Sequence, residues 1–141
     1  MIIIGFVTLA VISLLAFAAI YSDRIKDRIK LNQVENFAIQ LIFSAEDVFF
    51  AGEPSKTSIS LYLPDGVKEI NITSTDVIIT THTSTGNNVR AYQSSVPLQG
   101  SISAGEGIKK LTLEARDTYL LISQWNIFKY NKFFVLMIVK K

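Results

Sequence analysis

The residues of this chain that belong to catalytic types are scattered, and their spacing does not assemble a catalytic group. The chain contains no cysteine and one histidine, His82. Asp76 shares the parity of His82 in a Thr-rich segment, so both side chains are predicted to project from one face of a strand. A catalytic triad is recognised by geometry, and this pattern is too weak to predict one. We expect His82 to be an exposed or hydrogen-bonded side chain, and we expect the chain not to be an enzyme.

The sequence also argues against metal, cofactor and nucleic-acid binding. One histidine without cysteine cannot build a structural zinc site, and Glu46 and Asp47 are adjacent, so they point apart on a helix. The glycine-rich phosphate-binding motifs and the nucleophile-elbow motif do not occur in the sequence. The net charge of +2 is too small for the strongly basic face that nucleic acid requires. We therefore predict no cofactor, no metal and no nucleic-acid partner.

One sequence motif has a defined chemistry of modification. Asn71-Ile72-Thr73 is an N-glycosylation sequon, which has a meaning only if this part of the chain lies outside the cell. Sequons also arise by chance. Asn71 is therefore a candidate glycosylation site, and an unmodified strand residue is the alternative.

The most distinct pattern in the chain is an uncharged apolar run from Ile2 to Tyr21. At about 1.5 Å per residue, about 20 helical residues span the ~30 Å hydrocarbon core of a bilayer. A removable secretory signal would have a basic start, a shorter apolar stretch and a small-residue cleavage site, which Ala16, Ala18 and Ala19 imitate weakly. We predict a stable membrane span or an equivalent filament core, formed by Ile2, Ile3, Ile4, Phe6, Val7, Leu9, Val11, Ile12, Leu14, Leu15, Phe17 and Ile20.

The helical pattern continues beyond the apolar run. Neither glycine nor proline occurs between Phe6 and Ala51, and the first break is Gly52-Glu53-Pro54. We predict one helix from about Ile2 to about Phe50. The predicted domains are a helix over residues 1–52, apolar over 1–21 and amphipathic over 22–52, and a β-rich head over residues 53–141.

The amphipathic part of the helix carries two apolar faces. At about 100° per residue, one set has the i, i+3, i+4, i+7 spacing of a helix that packs on a core, here the head: Leu31, Val34, Phe37, Ala38, Leu41, Ile42, Ala45, Val48 and Phe49. A second set lies roughly opposite, with Asn32 and Asn36 among its members: Ile25, Ile29, Ile39, Phe43 and Phe50. A head covers one side of a helix, so we predict that the second face contacts neighbouring chains. The alternatives are a head that wraps further round or a kinked helix.

Basic residues occupy every second position from Arg24 to Lys30, beside Asp23 and Asp27. They predict a contact with lipid headgroups or with charges of a neighbouring subunit, and a solvated helix face is the alternative. Under the positive-inside rule they favour the cytoplasm, whereas the rest of the chain has the character of an extracellular domain. A basic leader that is removed before maturation would resolve this conflict.

The chain from Lys56 onward is predicted to form a β-rich head. Ile59, Leu61 and Leu63 alternate with more polar residues, and Pro64-Asp65-Gly66 has the chemistry of a turn. Further strands are predicted at Val67–Thr73, Asp76–Thr83, Val89–Gln93, Gln99–Ser103, Ile108–Glu114 and Thr118–Ser123, with a turn at Thr85-Gly86-Asn87-Asn88. About seven short strands at regular spacing predict an antiparallel sandwich-like head, so the predicted fold class is α+β.

The last residues of the chain are unusually apolar. The run from Phe133 to Val139 is too short to span a bilayer as a helix. We predict a strand that is buried on both faces or lies at a subunit contact. Trp125, Phe128 and Tyr130 are a candidate binding patch, although packing in a core or an interface is the more common use of such a cluster.

The layout of an uncharged helix, an amphipathic continuation and a β head resembles type IV pilin-like proteins, and archaeal pilins and archaellins most of all. The helix-to-head junction is similar to that of archaeal proteins with class III signal peptides, in the segments Ser44-Ala45-Glu46-Asp47-Val48-Phe49-Phe50-Ala51-Gly52, Ser55-Lys56-Thr57 and Tyr62-Leu63-Pro64-Asp65-Gly66-Val67. The resemblance covers roughly Ile2 to Ser123. Gly5 departs from the family, which has a glutamate at the fifth mature position; either the cleavage frame differs or this is an uncleaved, membrane-anchored relative.

The resemblance implies a structural subunit of an extracellular helical filament, of the adhesion-pilus or archaellum type. It implies cleavage of a short basic leader and bundling of the apolar helix halves in the filament core. The implied partners are identical subunits, membrane lipid before assembly, the filament assembly machinery and surface ligands. The implied location is the cell surface, with transient or permanent anchoring in the cytoplasmic membrane. The alternative is a single-pass, membrane-anchored extracellular accessory or binding module that does not polymerise.

Overall fold

A computed structural model of the chain describes residues 2–125 as one long helix followed by seven strands in two sheets. Helix α1 is Ile2–Phe50. The strands are β1 Lys56–Leu63, β2 Val67–Ile72, β3 Asp76–Thr83, β4 Gly86–Gln93, β5 Leu98–Gly100, β6 Gly107–Ala115 and β7 Leu120–Gln124. The predicted α+β class, with one uninterrupted helix and a β head, is confirmed. The strand predicted at Phe133–Val139 lies outside the described residues.

Helix α1 ends where glycine permits the backbone to leave the helical conformation. Gly52 has a φ of 79°, and its amide donates to the Phe49 carbonyl at 3.0 Å. This is the conformation in which many helices end on glycine, since other residues adopt it only with strain. The chain then reverses, and β1 lies along α1, with Lys56 near Val48 and Leu61 near Gln40.

The strands form a four-stranded sheet in the order β1-β6-β7-β5 and a three-stranded sheet in the order β2-β3-β4. All pairs are antiparallel except β5 and β7, which are parallel, with Leu98 opposite Leu120. We predicted an antiparallel head, but the four-stranded sheet is mixed because it contains this parallel pair. Strand β7 lies between β5 and β6, and this neighbour relation is invisible in the alternation of residues, which determines the face of each side chain but not the order of strands.

The predicted bounds of five strands differ from the structure. Strand β2 ends one residue earlier than predicted, and β6 extends one residue further at each end. Strand β4 begins at Gly86, because only Ser84 and Thr85 form the connection from β3. Asn87 and Asn88 resemble turn residues but belong to the two-residue hairpin's second strand, where they lie opposite β3. Strand β5 is shorter than predicted, and β7 begins and ends slightly later than predicted.

Both sheets and one face of α1 enclose a common hydrophobic core. Helix α1 contacts β1, β3, β6 and β7. The largest fully buried apolar side chains come from the helix and both sheets: Leu41, Leu63, Ile79, Leu98, Leu111, Leu113, Leu120 and Ile122. Each such burial contributes roughly 1.5–3 kcal/mol. The second half of α1 is thus an integral part of the head.

Candidate membrane and assembly surface of helix α1

The first half of α1 is not covered by any other part of the chain that the structure describes. By length and composition, α1 contains one segment that could cross a membrane, and none of that segment is buried against the head. The predicted span residues are all exposed, from 49% for Val11 to 91% for Ile2. They are Ile2, Ile3, Ile4, Phe6, Val7, Leu9, Val11, Ile12, Leu14, Leu15, Phe17 and Ile20. An apolar helix of this size in water is unfavourable, so lipid or other protein must cover it.

The face of α1 that we predicted to lie under the head is placed there by the structure. Buried residues on this face are Val34, Phe37, Ala38, Leu41, Ile42, Ala45 and Val48. Leu31 and Phe49, at the two ends of the set, are half-buried. Their spacing gives the about 100° wide stripe of a helix that packs on a core.

The opposite face of α1 is left exposed by the head. Ile25, Ile29, Ile39, Phe43 and Phe50 are each at least 50% exposed. The helix is continuous through these positions, and the head does not wrap around them within residues 2–125. The structure therefore brings the five residues onto one uncovered side of α1.

This exposed face continues the apolar half of the helix without a change of direction. Because 18 residues make about five helical turns, Val7, Ile25 and Phe43 point the same way. Residues on this line occur every three or four positions, and we call them the outer stripe: Val7, Val11, Leu14, Ala18, Tyr21, Ile25, Ile29, Asn32, Asn36, Ile39, Phe43, Asp47 and Phe50. All of them are exposed. From Tyr21 to Phe50 the outer stripe extends about 43 Å above the apolar half.

A shallow groove runs beside the outer stripe, between α1 and β1. Ile39 and Phe43 line one wall, and Ile59 and Leu61 line the other. Strand β1 is an edge strand that pairs only with β6, so its other edge faces this groove unpaired among the described strands. Apolar side chains and an open strand edge in one place form a surface that another protein element can cover.

The lower end of the head is fastened to the basic segment of α1. The Ser84 amide donates to the Asp27 carboxylate at 2.9 Å, and the Ser84 hydroxyl donates to the same oxygen. These hydrogen bonds lower the pKa of Asp27. Lys30 donates to the Asp65 carboxylate at 2.7 Å. Asp65 lies in the turn between β1 and β2, where Gly66 has a φ of 83°. This hydrogen bond raises the pKa of Lys30.

Two further polar contacts align the head with the upper half of α1. Arg90 donates to Glu35 at 3.1 Å, and the Ser95 amide donates to Glu46 at 2.9 Å. Exposed pairs of this kind each contribute about 0–1 kcal/mol. Together with the contacts of Asp27 and Lys30, they fix the rotation of α1 about its axis relative to the head. This rotation determines which side of α1 the outer stripe occupies.

The residues considered for catalysis do not come together. His82 Nδ1 lies 3.1 Å from Asn87 Oδ1. The two exposed residues lie opposite each other on β3 and β4. Asp76 is at the other end of β3, about 20 Å away along the strand, and its carboxylate accepts from Thr75 at 2.8 Å. Within the described part of the chain, no group of three metal-ligating side chains forms.

The sequon lies on an accessible part of the head. Asn71 is exposed on β2, an edge strand of the three-stranded sheet. The Thr73 hydroxyl lies in the β2–β3 connection and donates to the Asp76 carbonyl at 3.1 Å. Of the aromatic patch considered at the chain end, Trp125 is exposed, and Phe128 and Tyr130 lie outside the described residues.

Sequence reasoning missed one buried cation. Lys109 is 7% exposed, and its ammonium donates to the Ser103 hydroxyl at 3.1 Å. Burial lowers the pKa of Lys109. The alternation of β6 contained a signal, because Lys109 has the same parity as the buried Leu111 and Leu113.

Comparison with protein-family models, with curated proteins and with solved structures found no match for this chain.

Proposed function

We propose that this protein is the structural subunit of an extracellular helical filament of the type IV pilus or archaellum kind, which polymerises through α1. Adhesion or motility is the role of such a filament. The proposed partners are identical subunits, membrane lipid before assembly, the filament assembly machinery and ligands at the filament surface. No catalytic step is part of this function.

The apolar half of α1 supports two successive environments. Its uncovered length of about 30 Å matches the hydrocarbon core of a bilayer, where the subunit is stored before assembly. The same surface is covered in the filament by the apolar halves of neighbouring subunits. Small residues let helices approach closely, and the segment offers Gly5, Ala10, Ala16, Ala18 and Ala19. A Cβ placed at Gly5 would meet nothing within 4 Å, so this position is open to a neighbour.

The observation that carries the proposal is the outer stripe above the membrane. A bilayer covers α1 only as far as about Tyr21, whereas Phe43 and Phe50 lie about 33 Å and 43 Å further along the helix. Phe43 is 64% exposed and Phe50 is 73% exposed. A bilayer that ends near Tyr21 does not reach them, and the head as described, up to Trp125, does not cover them. A second copy of the helix covers both halves of the outer stripe with one continuous contact.

The outer stripe also contains two polar residues that would select the axial alignment of neighbouring helices. Asn32 and Asn36 interrupt its apolar side chains at adjacent turns, and both are exposed. A buried asparagine in a helix–helix contact is tolerated where its amide meets another polar group, so it selects one axial alignment at a cost in stability. The filament would thus gain a defined subunit rise from these two residues.

The alternative function is a membrane-anchored accessory or binding module that does not polymerise. The span-length apolar segment favours it as much as it favours a filament. The two functions differ in the outer stripe, which stays in water in a monomeric anchor and is covered in a filament.

Electron microscopy of the purified surface fraction tests the proposal, with mass spectrometry of the N-terminal peptide to define the mature start. Filaments that contain this chain are expected. The Ala18→Trp variant places a bulky ring on the outer stripe and is expected to abolish filaments while the head stays folded. Ile108→Asn, which changes an exposed apolar residue of the head at 71% exposure, is the matched control and should assemble normally. Dispersed protein found only in detergent-solubilised membrane would refute the filament and favour the accessory module.

A further inference from the structure

We propose that Arg24, Lys26 and Arg28 form a collar that binds the phosphates of anionic lipids around the membrane-inserted subunit. The inference rests on the membrane-inserted state in the proposed function, but not on polymerisation. The collar begins three residues after the apolar run ends at Tyr21. At about 1.5 Å per residue, its cations lie about 5–10 Å beyond the apolar run, which is the depth of the headgroups.

The head divides the basic residues of this segment into two groups. Lys30 is engaged by Asp65, and the neighbouring Asp27 carboxylate is engaged by Ser84. Arg24, Lys26 and Arg28 are exposed and form no ion pair with any residue from 2 to 125. The contacts of the head therefore neutralise the cation nearest to the head and leave the three cations nearest to the membrane available.

The arrangement of the three cations favours lipid over a protein partner. Arg24 and Arg28 lie one helical turn apart on the same side of α1, whereas Lys26, two residues from each, points to nearly the opposite side. A partner protein on one side would reach only part of this set. Lipid headgroups surround a spanning helix from every side, and long basic side chains reach them by extending along the helix.

The net charge of the collar segment also favours anionic lipid as the ligand. Asp23 is the one carboxylate in the collar segment that is not bonded to the head in the described structure, and the three cations of the collar outnumber it. A basic residue at a membrane surface attracts anionic lipid, with about a fivefold gain in association for each charge at low salt. The collar thus prefers phosphatidylglycerol to phosphatidylcholine, since the second lipid carries a compensating cation.

The test uses the full chain in vesicles of phosphatidylcholine with 20 mol% phosphatidylglycerol, with flotation to measure insertion. Electron spin resonance of spin-labelled phosphatidylglycerol or spin-labelled phosphatidylcholine then measures which lipid contacts the protein. The wild type is expected to prefer phosphatidylglycerol by about fivefold or more at low salt. This preference should fall towards one at high salt, where the Debye length is about 3 Å.

The Arg24→Gln/Lys26→Gln/Arg28→Gln variant should float with vesicles as the wild type does but lose the lipid preference. The charge-matched control is Lys56→Gln/Lys110→Gln/Arg116→Gln, which changes cations of the head and should retain the preference. Equal contact with both lipids in the inserted wild type would overturn the collar and leave the filament proposal standing. Competition by soluble glycerol phosphate would overturn it in favour of a free-phosphate site. Failure of the wild type to float would overturn membrane insertion, and the collar with it.

Discussion

The two halves of α1 are one continuous helix, but they meet their surroundings in opposite ways. Residues 2–21 are uncharged and mostly apolar on every side, and the described part of the head covers none of them. In the second half, the head buries one face, with Phe37 and Leu41 at most 2% exposed, and residues 53–125 leave the outer stripe exposed. The helix backbone is the same in both halves, so the difference lies in the distribution of apolar side chains around it. A helix that is apolar all round needs lipid or several neighbours, whereas a helix with two apolar faces needs one partner on each.

The largest expected effect is on the stability of the head, and it distinguishes a leucine in the second half of α1 from a leucine in the first half. Leu41→Ala removes a side chain that is 0% exposed in the head core, and it should lower the free energy of unfolding by about 2–5 kcal/mol. Leu15→Ala, in the exposed apolar half, is the matched control and should leave the unfolding of the head unchanged. Denaturant unfolding of the full chain in detergent measures both, with the single Trp125 as the fluorophore. Equal losses in the two variants would show that the halves are not distinct.

A lysine introduced into the first half of α1 is expected to reduce membrane insertion, whereas a lysine introduced into the second half is not. Leu14→Lys places an ammonium in the middle of the predicted span, where it costs about 3 kcal/mol of insertion free energy. Phe43→Lys changes a similarly exposed position of the outer stripe that lies beyond the predicted span, so insertion should be unaffected. Flotation with vesicles after cell-free synthesis compares the two variants. Reduced insertion of Phe43→Lys to the same extent would place the membrane boundary elsewhere on α1.

A smaller effect is expected from the buried cation of the head, Lys109. Because burial lowers the pKa of Lys109 below its usual 10.5, the folded state disfavours the protonated amine. Lys109→Met should therefore raise the thermal midpoint at pH 7 by about 2–5 °C. As the pH rises through the lowered folded pKa towards 10.5, the wild type loses this cost, so the two proteins should converge.

Thermal unfolding from pH 7 to pH 10.5 measures the convergence. Lys110→Met is the control, because Lys110 is the exposed neighbour on β6 and should show no comparable gain. A constant difference between Lys109→Met and the wild type at all pH values would assign the gain to packing alone.

The smallest expected effect concerns the contact that fastens the head to α1. The folded pKa of Asp27 lies below 3.8, so its ionised form stabilises the folded state at higher pH, and this contribution is lost as the pH falls through the folded pKa. Asp27→Asn should be slightly less stable than the wild type at pH 7 and equal to it at strongly acidic pH. Asp23→Asn, one turn below and without a bond to the head among the described residues, should match the wild type throughout. Thermal unfolding against pH would contradict the contact if the two variants behaved alike.

Local patterns predicted the helix and the face that it buries. The absence of glycine and proline from Phe6 to Ala51 predicted the length of α1, and the positive-φ Gly52 follows its end. The spacing of Val34, Phe37 and Leu41 identified the face that is buried. These are relations between residues a few positions apart, so the sequence contains them directly.

Relations between distant residues could not be predicted in the same way. The parallel pairing of β5 with β7 depends on which strand lies beside which, and no local pattern contains that information. The contacts of Asp27 with Ser84 and of Lys30 with Asp65 join residues 57 and 35 positions apart. They depend on the way the head packs along α1, and they determine which basic residues between Arg24 and Lys30 are engaged by the described part of the head.

Photocrosslinking at position 43 in intact cells tests most directly the claim that another copy of the chain covers the outer stripe. Phe43 is replaced by p-benzoylphenylalanine, which keeps an aromatic ring at the site. The same replacement at Ile108, an exposed apolar residue of the head, is the control. The account predicts a ladder of crosslinked multimers of this chain from position 43, abolished by Ala18→Trp. Monomer alone from position 43 in cells that display the protein at their surface would contradict it.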